Sequence, residues 1–170
     1  MTGMPPNPYL ETYLRDHRAG AAAGVRLAER LRDEGGDAAL RDEMVGIARD
    51  ISADRDQLEQ LMVALDVRPS LVKSALADAG QHLGRLKLNG RLRGRSPLSD
   101  VLELEALSAG IAAKRDLWRA LATLAPDVGA VDGSEVARLE TRATEQLERV
   151  LALHRTAARH ALVGVPDPVG

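Results

Sequence analysis

Gly35 to Leu65 reads GGDAALRDEMVGIARDISADRDQLEQLMVAL, and its apolar residues recur at Leu40, Met44, Ile47, Ile51, Leu58, Leu61 and Leu65. The steps of three and four residues put them on one face of a helix, and Asp54 falls on the same face. Gly35-Gly36 breaks the chain before this helix, Asp37 can cap it and Pro69 stops it. A charged residue on an otherwise oily seam is costly unless it is paired or bound, so Asp54 marks a place to search for function.

Upstream, Asn7 followed by Pro8 is a strong helix start, and its seam runs Leu10, Leu14, His17, Ala21, Gly24, Ala28 and Leu31. Downstream, Ser70 opens a shorter amphipathic stretch with Leu76, Ala79, Leu83 and Leu86. Ser96-Pro97 starts a helix that Pro126 closes, with Leu98, Val101, Leu102, Ala109 and Ala112 on one face and Glu105 among them. Asp132 with Glu135 makes a capping box for the last helix. That helix carries Val136, Ala143, Leu147, Val150, His154, Ala157 and Ala161 on one face. Helices are therefore expected over about 8–33, 37–66, 70–89, 97–125 and 133–162, as a single all-α domain across residues 1–170. Short loops make an antiparallel four-helix bundle with an extra short connector helix between two hairpins.

Composition agrees. Hydrophobic residues make up 45% and aromatics only 2%, which favours helices packed through Leu, Ala and Val over a β-fold. The absence of cysteine excludes disulfides and thiolate sites. No signal-like or membrane-spanning run is present, so a cytoplasmic protein without membrane contact is expected. The net charge of −2 predicts no overall attraction to nucleic acid.

In an antiparallel hairpin, facing residues have numbers that sum to a constant set by the loop. A turn centred at 35–36 sets His17 against Asp54, and a loop centred at 129–130 sets Glu105 against His154. Each hairpin then offers one histidine and one carboxylate inward. This plan resembles the ferritin-like di-metal carboxylate proteins, which use an inward Glu on two helices and Glu-x-x-His on the other two. Glu105 stands for one single Glu and His154 for the His of a Glu-x-x-His. Ile51 and Leu151 stand where bridging glutamates would be, Asp54 replaces a histidine and His17 a glutamate. No Glu-x-x-His occurs in the chain, so the resemblance is one of architecture and implies neither oxidase nor iron-storage activity.

The sequence leaves three readings of these four residues open. Each pair is a buried ion pair fixing helix register, or all four hold one divalent transition metal (Fe, Mn or Zn), or some of them face solvent. No motif requires a cofactor. Arg85, Lys87, Arg91, Arg93 and Arg95 lie within eleven residues free of acids, around an Asn89-Gly90 that suits either a helix cap or a hairpin. They read as a solvated connector, or as an anion-binding patch for phosphate, nucleic acid or an acidic partner. Glu103, Lys114 and Arg115 are expected on a charged outer face, and Trp118 in the core. The small residues Ala21 to Gly24 suit close packing, within the chain or in a homodimer. The leading expectation is a non-enzymatic bundle that is structural or partner-binding. Metal binding and anion binding are the alternatives.

Overall fold

The computed structural model describes residues 7–68 and 95–163. They form four helices, α1 (Pro8–Glu34), α2 (Ala38–Ala64), α3 (Pro97–Ala122) and α4 (Gly133–Val163), with no strand among the described residues. The expected connector helix at 70–89 lies outside the described residues, as do Arg85, Lys87, Arg91 and Arg93. None of the described helices is long and apolar enough to cross a membrane.

The helix starts follow their caps. Asn7 accepts from the Tyr9 N–H at 2.9 Å, Asp37 from Ala39 at 3.1 Å and Ser96 from Leu98 at 3.3 Å. Asp132 takes the N–H groups of Ser134 and Glu135 at 2.8 and 3.2 Å. The Glu135 carboxylate turns to Arg138 instead of closing the box. Gly35 is required by close approach, because a Cβ there would meet the Leu31 carbonyl oxygen at 2.6 Å.

Two ends differ from expectation. α3 stops at Ala122, short of residue 125, because Pro126 disfavours helical backbone before it and the chain tightens into i to i+3 bonds at Thr123 and Leu124. α2 stops at Ala64, well before Pro69. Asp66 there adopts a left-handed φ of 54°, with its N–H on the Val63 carbonyl and that of Val67 on the Met62 carbonyl. This is a Schellman end, and it buries Val67.

Pairs between helices fix their directions. Arg30 meets Glu103 at 2.7 Å and the Gly36 N–H meets Asp100 at 3.0 Å, so α1 and α3 are antiparallel. Arg149 meets Glu43 and Arg142 meets Asp54, so α2 and α4 are antiparallel. α2 and α3 therefore run the same way. The core divides into two clusters. One holds Ala28, Leu31, Met44, Ile47, Leu104 and Val150, the other Leu14, Leu58, Met62, Trp118, Leu121 and Leu139.

α1, α2 and α4 turn the seams read from the sequence towards the core, with Val136, Ala143 and Val150 of α4 buried, but α3 is rotated from its own. α3 buries Leu104, Leu107, Ile111, Trp118 and Leu121, leaving Ala109 and Glu105 exposed. α4 buries Leu139 and Gln146, with His154 only half-buried. The cause is area: the row actually buried in α3 carries bulkier side chains than the Leu98–Ala112 row, so burying it removes more apolar surface from water.

Since a non-glycine left-handed residue is strained by about 1–2 kcal/mol, Asp66→Gly should stabilise the chain. A gain of about 1 kcal/mol in urea unfolding is expected, less the extra entropy glycine gives the unfolded state.

Candidate functional site

Between the two apolar clusters lies a polar layer to which each helix seam contributes one residue: His17 from α1, Asp54 from α2, Lys114 from α3 and Gln146 from α4. Asp54 is 1% exposed. The Lys114 ammonium donates to one Asp54 oxygen and to the Gln146 carbonyl oxygen. The Gln146 amide donates to the same Asp54 oxygen at 2.9 Å, and the Arg142 guanidinium donates to the other. A carboxylate this deep persists because charged and neutral donors cover both of its oxygens. Burial pushes the Lys114 ammonium below the usual lysine range, against the pull of Asp54.

This corrects the expected His17–Asp54 pair. His17 stacks edge-on against Tyr13, with ring centroids 4.5 Å apart, and makes no side-chain hydrogen bond among the described residues. The longer cations of α3 and α4 reach Asp54 in its place. The second pair does form, with His154 Nε2 3.1 Å from Glu105 Oε1, but Glu105 is half in solvent because α3 is rotated. Lys114 and Glu103 were expected on an outer charged face and both turn inward. Glu103 is 7% exposed and meets Arg30 and Arg95. Arg95, the one described member of the basic stretch, is held by Glu103 and Asp100, both at 2.6 Å.

The four residues read as metal ligands do not come together. Among the described residues no three His, Asp or Glu side chains group so that they could hold a metal ion. The donor set fits poorly too, because two cations already occupy Asp54 and would repel a third.

Beside the polar layer, α1, α2 and α3 enclose a cavity of about 420 Å³. Its α1 wall is Gly20, Ala21 and Gly24, and its α3 wall includes Ala106, Gly110 and Ala113. Gly20, Gly110 and Ala113 are exposed, so it opens to solvent along the α1–α3 seam. Leu27, Ile51, Leu58 and Leu107 make the interior apolar. His17, Asp54, Lys114 and Trp118 also line it, and the Trp118 indole N–H is buried without a partner among the described residues. The volume lies within the ordinary range for small-molecule sites.

The chain matches no known protein family, no curated protein and no solved structure. Function must be read from the site itself.

Sequence reasoning missed Lys114 and Gln146. The signal for Lys114 was present: Leu104, Leu107, Ile111, Lys114, Trp118 and Leu121 step by threes and fours. Gln146 likewise continues Val136, Leu139 and Ala143.

Removing Asp54 leaves two cations facing an apolar layer. Asp54→Leu should cost about 3–5 kcal/mol in denaturant unfolding, whereas Glu105→Gln, at an exposed pair, should cost under about 0.5 kcal/mol. Equal costs would refute the central role of Asp54.

Burial also holds the His17 imidazole below its usual value of 6.5, against a weaker pull from Asp16. The unfolded chain then binds the proton more readily than the folded one, so stability falls as pH drops from about 6.5 towards the lowered folded value. His17→Gln should flatten that part of the stability–pH curve.

Proposed function

We propose that this chain is a non-enzymatic binding protein, a helical bundle of ferritin-like order that takes an apolar small molecule into the cavity between α1, α2 and α3. The observation that carries the reading is the set of glycines Gly20, Gly24 and Gly110. Each sits inside a helix, where glycine costs about 1 kcal/mol relative to alanine. Tight packing does not require them, because a Cβ at any of the three would meet nothing within 4 Å. All three line the cavity. Their effect is to keep space open, at a cost in stability that a purely structural bundle has no reason to bear.

Support for the ferritin-like order comes from the parallel course of α2 and α3. With α1–α2 and α3–α4 antiparallel, the end of α2 and the start of α3 lie at opposite ends of the bundle, as in folds with one long crossover. The Asp54 layer supports a second, structural role. A buried charged contact joining α2, α3 and α4 fixes their register, because sliding any helix by a turn strands Asp54 or Lys114 without its partner.

Trp118 is the chain's single tryptophan and lines the cavity, so its emission reports on occupancy. Nile red, a neutral apolar dye, is expected to bind one per chain and to change Trp118 emission. Gly110→Leu should abolish that binding while leaving the melting temperature unchanged or raised, since it fills space and improves helix propensity. Undiminished dye binding to Gly110→Leu would overturn the proposal.

A further inference from the structure

We infer that the cavity's ligand is an amphipathic carboxylate, an apolar chain or ring bearing one carboxylate group that is received by Lys114 and Trp118. The inference rests on the binding reading above and adds the chemical class of the ligand.

Lys114 and Trp118 stand four residues apart on α3, so they share a face of that helix, and both line the cavity. A lysine ammonium carries three N–H donors. Lys114 uses them on two acceptors, Asp54 and Gln146, so one donor has no partner among the described residues. The Trp118 indole N–H has none either, although the residue is only 1% exposed. Leaving a buried donor unsatisfied costs about 1–3 kcal/mol. An unsatisfied indole N–H and a spare ammonium donor on one wall of one cavity therefore select a ligand that brings acceptors. A carboxylate offers two oxygens and no donor, which matches the pair.

Charge points the same way. Lys114 and Arg142 both bond the one carboxylate of Asp54, and the Arg142 Nε is also buried without a partner among the described residues. Asp16 and Arg55 also line the cavity, and Arg55 is engaged by Asp56. A ligand carboxylate would give Lys114 and Arg142, which share Asp54, a second anion. The remaining walls are aliphatic or small, and they would take the ligand's apolar body.

The test compares decanoate, its methyl ester and decylamine on the full chain, each below its aggregation limit, by Trp118 emission. Decanoate is expected to bind at least tenfold more tightly than the ester, and decylamine more weakly than either. Lys114→Met should bring decanoate to the level of the ester. The ester comparison uses the unaltered chain, so a Lys114→Met variant that fails to fold does not remove the test. If ester and decanoate bind equally, or decylamine binds best, the carboxylate assignment is wrong while the binding reading stands. If none of the three binds, and Nile red does not either, the binding reading itself fails.

Discussion

One carboxylate organises the middle of this bundle. Asp54 is almost fully buried, and its partners come from two other helices: Lys114 of α3, and Arg142 and Gln146 of α4. Burying an ionised carboxylate is strongly unfavourable unless its oxygens are covered, so α2, α3 and α4 must meet at this level and in this register. The apolar core then forms as two clusters, above and below the layer. α1 is the helix that contributes no partner to Asp54. It supplies His17, which turns to Tyr13, and then a run of alanine and glycine. The cavity lies on that side, where α1 is tied to α2 by Arg18–Glu59 and to α3 by Arg30–Glu103 but offers little side-chain volume at Gly20, Ala21 and Gly24 to close the gap.

The helices were legible in the sequence because their signals are local. Asn7-Pro8, Asp37, Ser96-Pro97 and Asp132 each act within their own first turn, and the structure shows each of them capping. The rotation of α3 was harder to read. α3 carries two interleaved apolar rows one residue apart, and small alanines count equally with leucines in a periodicity argument while contributing far less buried area. That phase error hid Lys114 and set Glu105 inward. In the first hairpin His17 does not bond Asp54, whereas in the second the loop arithmetic matched, since Glu105 does face His154. It gave the level of the contact but not its depth. Asp54 was found correctly as a misplaced charge, but its partners lie on the other hairpin, where numbering within one hairpin gives no guide. The left-handed Asp66 was also out of reach, because glycine or asparagine is the usual signal for that conformation.

The two features of the site pull stability in opposite directions. The polar layer ties helices together, while the glycines of α1 and α3 weaken them and preserve a gap. A bundle selected only for rigidity would fill that gap with leucine, as its own upper and lower layers do. The gap instead adjoins the charged Asp54 layer, so an occupant meets both aliphatic walls and oriented donors. Oriented donors lose little free energy to reorganisation when a ligand arrives, because Asp54 and Gln146 already hold Lys114 in position. The residue that fixes the register is thus also the one with a donor to spare. Tying the helices and recognising a ligand become two uses of a single lysine: any change that loosens its grip on Asp54 must also disorder the group that faces the cavity.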